Sequence, residues 1–432
     1  MNLRNAVVVD GVRTAFTKGG RGKLEAARLD DLGAVLIKAL LERNPKVKPT
    51  MITDIGIGGN LGRGVGHLAG LPAEIVDFSS ERACATSQET AMRISMAIML
   101  GQYDCGLSVG VERMGTYQER LDSDARMRTT RREGPNPKAR ELTKYQRDMA
   151  PDHFDYFSVP IPDYILDSPT GASMVQTGQN VCEMYDLTRE EIDAFSMRSQ
   201  HKLAKAYDAG IYKDEIIPVE VEDPVFDDQG IWLPDEIGPK VILDRDEGLR
   251  PNTTMEGLAK LSPVKGIVSY KPGPLMITAG NSCPRNAGVT VQLIMSEELA
   301  LKLGIDYLAR VVGWGNGGCK QQIMGVGPVV STPKALKHAG LTMDQIDRIE
   351  FNEAFACQVV ASMRELKMPE EKVNVNGGSI GIGHPICATG NRLWMTVCKE
   401  LKRSNKRYGL ATQCCGDGEG MTVIFENPDA PK

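Results

Sequence analysis

The chain has 432 residues, 41% of them apolar and 25% charged, the make-up of a folded globular protein with two or three domains and ample core. A net charge of −5 lacks the basic excess that phosphate contacts demand and excludes a general nucleic-acid binder. No apolar run approaches the roughly 18 residues that span a bilayer, no signal-peptide layout opens the chain, and ten cysteines without a Cys-x-x-Cys pair point to free thiols in a reducing, cytoplasmic setting.

Residues 6–12 read as a short apolar strand, 30–41 carry apolar residues at helical spacing, and 52–58 read as a second strand, a β-α-β start. The glycine-rich stretch 56–66 invites a dinucleotide-binding reading, but the spacing needs a third glycine at 61, where Leu61 stands. A plain loop is therefore expected there. Cys84 precedes a buried helix over 85–99, and a strand follows over 105–111. A thiol at a helix N-terminus meets a dipole and free N–H groups that lower its pKa, although most lone cysteines are small buried hydrophobes.

From residue 115 to about 271 the rhythm breaks. Residues 119–144 are heavily charged, prolines collect at 151, 160, 162 and 169, and one amphipathic helix runs from 188 to about 206. This reads as an inserted lobe. Its basic run, Arg126, Arg128, Arg131 and Arg132, reads as a solvated face, with a phosphate on an acidic substrate carrier as the alternative.

The rhythm resumes with a strand over 275–279, a loop over 280–288 and a β-rich segment over 289–295. A second series follows: strand 309–314, helix 333–339, strand 346–352, helix 354–366, strand 373–375, a helix after His384, and strands near 410–413 and 421–425. Laid over each other, Asp54-Ile-Gly-Ile meets Asp347-Arg-Ile-Glu, and Gly106-Leu-Ser-Val-Gly meets Gly409-Leu-Ala-Thr-Gln. Two copies of one β-α unit would then bring two equivalent helix N-termini, one with Cys84 and one with His384, to a shared site.

Glycines 377, 378, 381 and 383 crowd His384, and glycines 416, 418 and 420 follow Cys414 and Cys415. A thiol on a helix N-terminus, an imidazole within reach and a second thiol on a glycine-rich loop suit nucleophile, base and proton acceptor for acyl chemistry. The free N–H groups of such a loop can cradle an oxyanion. His67, His153, His201 and His338 have no ligand-spaced neighbours, so no metal is expected.

With these residues the chain resembles the thiolases (3-ketoacyl-CoA thiolase and acetyl-CoA acetyltransferase). The likeness runs through Val7-Val-Val-Asp-Gly-Val-Arg-Thr-Ala-Phe, Ser173-Met174-Val-Gln-Thr-Gly-Gln179, Leu258-Ala-Lys-Leu-Ser262-Pro, Met324-Gly-Val-Gly-Pro, Asn352-Glu-Ala-Phe-Ala, Asn374-Val-Asn-Gly-Gly, Gly383-His-Pro and the terminal Cys414-Cys-Gly-Asp-Gly-Glu-Gly. It implies a pseudo-duplicated five-layer α-β-α-β-α fold: one half from 1–118 with 276–300, a lobe over 119–275 for CoA, acyl chain and oligomer contacts, and a second half over 301–432.

It further implies Cys84 as the acyl-accepting nucleophile, His384 as its activator, Asn352 as holder of a water in a first oxyanion hole, and Cys414 as the base at C2. The N–H groups of Cys84 and Gly416 would form a second oxyanion hole. Coenzyme A is a co-substrate with no permanently bound cofactor, and Ser262, Cys283, Met174, Arg126 and Arg128 are candidate contacts to it. A homodimer or homotetramer, with room for a fatty-acid-oxidation partner subunit, is also implied. The pattern departs at Gln179, Cys283, Ala287 and Ile386-Cys387. Glu81-Arg-Ala-Cys84-Ala-Thr-Ser is more similar to degradative thiolases, which favours a 3-ketoacyl-CoA longer or bulkier than acetoacetyl-CoA. Two alternatives stay open: a condensing enzyme of the ketoacyl or hydroxymethylglutaryl synthase type, and a non-catalytic thiolase-like subunit.

Overall fold

The computed structural model describes residues 3–58, 62–114, 157–166, 173–228, 230 and 232–431; the charged segment 119–144, with Arg126 and Arg128, lies outside them. The first half contains β1 (Ala6–Arg13), β2 (Thr17–Lys18), α1 (Leu29–Arg43), β3 (Asp54–Gly58), α2 (Gly62–Leu68), β4 (Val76–Ser80), α3 (Thr86–Met99) and β5 (Cys105–Arg113). The lobe contributes α4 (Asp163–Leu166), α5 (Met174–Met184), α6 (Arg189–Asp208), the hairpin β6 (Val219–Phe226) and β7 (Trp232–Leu243), and α7 (Met255–Ala259). After β8 (Asn286–Ser296) and α8 (Glu297–Leu303), the second half runs β9 (Ala309–Gly318), α9 (Gly327–Ala339), β10 (Arg348–Phe351), α10 (Ala356–Leu366), α11 (Ser379–Ile382), α12 (Ile386–Arg403), β11 (Tyr408–Cys415) and β12 (Glu419–Glu426).

The main sheet has the order β10-β11-β12-β9-β1-β8-β5-β3-β4. Each half repeats one pattern, a parallel pair (β3 with β5, β10 with β11) continued by two antiparallel strands. Asp54 stands opposite Gly106 and Arg348 opposite Gly409, so the duplication visible in the sequence is one residue out of step in register. Within the main sheet the halves join where Val7 meets Arg310 and Val8 meets Ala309.

Alternation along β1 shows how the layers form. Val7 and Val9 point to a cluster with Leu36, Ile37 and Leu40 of α1, whereas Ala6 and Val8 point to one with Ile94 and Ile98 of α3 and Leu393, Trp394 and Val397 of α12. Successive strand residues face opposite sides, and both sides here are buried. On the far side Val329 of α9 and Val359 of α10 cover Ile349, Leu410 and Ile424. Helices α3 and α12 thus form a middle layer between the two half-sheets, giving α-β-α-β-α. They touch where Gly390 meets Gln88: a Cβ on Gly390 would lie 2.2 Å from the Gln88 amide nitrogen, so only glycine permits the approach.

Several expected elements differ. The stretch expected as a plain loop winds into α2 over its second half. Residues 275–279 make no strand, only a bridge from Thr278 to Pro263, and 373–375 reduce to a bridge between Val373 and Ile349, because Asn374 turns the chain with φ of 44°. Helix α9 starts at Gly327 rather than 333, with Pro328 in its first turn and Pro333 inside it. The lobe also holds α5 and the β6–β7 hairpin besides the expected helix, which starts at a Thr188–Glu191 capping box.

Candidate active site

Cys84 sits in the 3-10 turn Ala83–Ala85 between β4 and α3. The turn is strained: Ala83 takes φ of 41°, a left-handed conformation that costs a residue with a Cβ about 1–3 kcal/mol. Thr86 pins it, its Oγ1 donating to Ala83 O at 2.8 Å and accepting from Arg82 N at 3.0 Å. Arg82 is tied in turn to Glu89 and Glu419. The thiol of Cys84 is thereby presented at the head of the buried helix α3.

His384 arrives from the other half. Gly383 takes φ of 113° with Asn286 packed on its Cα, and the His384 N–H donates to Asn286 Oδ1 at 2.9 Å. Its Nδ1 lies 2.6 Å from Thr389 Oγ1. That hydroxyl gives its own hydrogen to Pro385 O at 2.8 Å, so it accepts from Nδ1–H. This fixes the tautomer with Nε2 bare. Asn352 Nδ2 lies 3.3 Å from Nε2 and donates to it.

Cys84 faces Cys414, near the end of β11, and His384, and these two neighbours act on its thiol. The Cys84 thiol is pushed well above its ordinary pKa by the Cys414 contact and by burial, with His384 pulling the other way. This corrects the expectation that a helix N-terminus would lower it: the Cys414 contact and desolvation of the thiolate together outweigh any help from the helix end. Cys415 is buried, its pKa raised by burial and by nearby Cys84. Gly416 packs against Ala83, where a Cβ would come within 3.2 Å of the Ala83 Cβ. All ten cysteines are free thiols.

The structure therefore brings Cys84, His384, Cys414, Asn352 and Gly416 to one place. Cys283 joins their edge: its N–H donates to Ala354 O at 3.0 Å, and burial and nearby Cys84 raise its thiol. A cavity of about 580 Å³ opens beside this loop, lined by Arg250, Thr254, Leu258, Leu261, Ser282 and Pro284 among others. Ser262 is exposed next to the lining residue Leu261. Met174 is exposed at the start of α5 and is not part of that lining. A second cavity of about 520 Å³ is lined by Ser79, Ser80, Glu81, Ala83, Thr86, Glu112, Ile386 and Cys387, which places the unusual Ile386-Cys387 pair beside the nucleophile's turn. Sequence reasoning missed Thr389 and Asn286, whose roles depend on the folded path of a loop; the only local signal was Thr389 within Ala-Thr-Gly after His-Pro.

The family models described as Thiolase, N-terminal domain and Thiolase, C-terminal domain match residues 6–298 and 305–427. A 3-ketoacyl-CoA thiolase of Bacillus subtilis (strain 168) is 34% identical over 98% of this chain and 100% of the relative. A beta-ketoadipyl-CoA thiolase of Acinetobacter baylyi is 34% identical with 98% and 100% covered. The crystal structure of human mitochondrial 3-ketoacyl-CoA thiolase superposes with a TM-score of 0.76 at 28% identity, covering 99% of this chain and 100% of the other.

Proposed function

The chain belongs to the thiolase family, and from that premise we propose that it cleaves a 3-ketoacyl-CoA with CoA to acetyl-CoA and a shortened acyl-CoA, or runs the reverse Claisen condensation. The observation that carries this reading is the meeting of Cys84, His384 and Cys414 in one buried cluster. His384 Nε2 takes the proton of the Cys84 thiol as its sulfur attacks the C3 carbonyl. The C2–C3 bond breaks, its electron pair goes to C2, and Cys414 protonates that carbon as acetyl-CoA forms. The incoming CoA thiol then gives its proton to the Cys414 thiolate and attacks the acyl-cysteine. Cys84 leaves and recovers its proton from His384. Cys84, His384 and Cys414 each end as they began: the Cys84 proton goes to His384 and back, and the Cys414 proton leaves on acetyl-CoA and is replaced from the CoA thiol.

A thiol kept neutral at rest suits this scheme, because its thiolate appears only alongside the imidazolium that stabilises it. Asn352, through a water, and the N–H groups of Cys84 and Gly416 take the two oxyanion roles. The larger cavity beside Ser282 is assigned to the CoA arm, with Cys283 and Ser262 at its edge and the lobe over 119–275, including Arg126, Arg128 and Met174, as further contacts. The cavity of Glu81, Glu112 and Cys387 is assigned to the acyl group, and its two carboxylates favour an uncharged chain over one ending in a carboxylate. No described helix is long and apolar enough to cross a membrane. A cytoplasmic homodimer or homotetramer, open to a fatty-acid-oxidation partner subunit, completes the reading; the ten free thiols support the reducing compartment, and the outer edge of β4, with Val76 exposed, is a candidate contact.

The test is a panel of 3-ketoacyl-CoA substrates of graded length, including β-ketoadipyl-CoA, followed at the enolate absorbance, with mass spectrometry of the acyl-enzyme. Uncharged chains are expected to turn over fastest, with an acyl adduct on Cys84 that Cys84→Ser abolishes. Undiminished CoA exchange in Cys84→Ser defeats the scheme.

A further inference from the structure

Behind Asn352 lies a line of one-way hydrogen bonds that the reaction scheme does not use. Arg392 Nη2 donates to Ser379 Oγ at 2.8 Å, and Ser379 Oγ donates to Asn352 Oδ1 at 2.6 Å. Arg392, Ser379 and Asn352 are fully buried. Arg392 is held from the other side by Glu350 at 2.7 Å.

We propose that Ser379 is a positioning residue for this reaction, and that its hydroxyl, oriented by Arg392, fixes the amide of Asn352 so that its NH2 faces His384. The argument is one of donor inventory. A guanidinium has no acceptor, so the Ser379 oxygen must accept from Arg392 and its single hydrogen is free for Asn352. An amide that receives a hydrogen on one side presents its oxygen there and its NH2 on the other. That NH2 reaches the bare Nε2 of His384, the same nitrogen that the Thr389 bond leaves unprotonated. Ser379 and Thr389 thus set, from two directions, the tautomer able to take the Cys84 proton. Without the hydroxyl, only the long 3.3 Å bond to His384 Nε2 decides which end of the Asn352 amide faces the ring, and the flipped form points an oxygen at a lone pair. A second-layer partner that orients an electrophilic donor has effects below those of removing the donor itself, about 10²–10³-fold.

The inference rests on the thiolase reading and is tested separately from it. In wild-type protein, thiolysis and an acyl adduct on Cys84 establish that reading; their absence sinks it regardless of Ser379. Ser379→Ala is expected to lower kcat about tenfold with KM nearly unchanged. In an Asn352→Ala background the same change is expected to have no further effect, since Ser379 acts through Asn352. A tenfold loss in both backgrounds means a general structural role and overturns the proposal, as does wild-type kcat in Ser379→Ala. Should the variant not fold, ¹⁵N shifts of the wild-type histidine rings decide: His384 is expected with hydrogen on Nδ1 and none on Nε2 at neutral pH, and the opposite tautomer overturns the proposal.

Discussion

Gly390→Ala tests how tightly the reaction depends on the middle layer. The added Cβ would meet Gln88 at 2.2 Å from its amide nitrogen, 2.7 Å from Cβ and 2.8 Å from Cα. Two of these are backbone atoms that no side-chain rotation can clear, so α3 and α12 must separate by about 1 Å to regain ordinary contact. Gln88 lies one helical turn beyond Cys84, and Gly390 lies six residues after His384. The displacement therefore passes directly into the gap between nucleophile and base. A misplacement of about 1 Å costs on the order of 10²-fold in rate. Overpacking costs about 1–3 kcal/mol, partly offset by the roughly 1 kcal/mol better helix propensity of Ala, so the protein stays folded. The expected result in steady-state thiolysis is a kcat about 100-fold down with a thermal melt shifted only slightly. Gly64→Ala on α2, where an added Cβ meets nothing within 4 Å, is the control. A folded Gly390→Ala enzyme with kcat within threefold of wild type would refute the reasoning.

Two predictions concern protons. Because contact with Cys414 and burial hold the Cys84 thiol above its ordinary pKa, its alkylation by iodoacetamide, read by peptide mass spectrometry, should keep accelerating with pH beyond 9; a plateau below pH 8 contradicts this. Burial raises Glu350 from 4.5 to about 8 despite Arg392. A raised carboxyl pKa means its contribution to stability is complete below about pH 4.5 and is lost as pH rises through 8, at about 1.4 kcal/mol per unit and on the order of 5 kcal/mol in all. Urea midpoints of wild type and Glu350→Gln, which cannot ionise, should therefore shift in the variant's favour between pH 5 and 8.5; parallel curves exclude it.

Legibility followed locality. The strands at β1, β3, β5 and β8 and the helices around Cys84 and after His384 were readable because each carries its own periodicity. The strand expected at 373–375 failed because Asn374 obeys a tertiary demand: its side chain bridges the Phe351 N–H and carbonyl and reaches Glu353. The β6–β7 hairpin went unread: Val219 and Val221 alternate with glutamates, but the run of alternation ends at Asp223-Pro224 and β7 is mostly exposed. Cys84, His384 and Cys414 stood out by residue type and glycine context, and duplication supplied the reason for them to meet. The sign of the Cys84 pKa shift was not readable, since it comes from Cys414, 330 positions away in the sequence.

The position of β8 has a consequence for biosynthesis. It lies between β1 and β5 in the sheet yet follows β5 by more than 170 residues in the chain. Until it emerges from the ribosome, β1 and β5 each present an open edge of unpaired N–H and C=O groups, and the face that α3 will share with α12 is bare. The first half thus spends the synthesis of the whole lobe, at about 5–20 residues per second, as an incomplete sheet. Such a nascent chain is a natural client for a ribosome-associated chaperone, and a translational pause within the lobe would lengthen its exposure to aggregation.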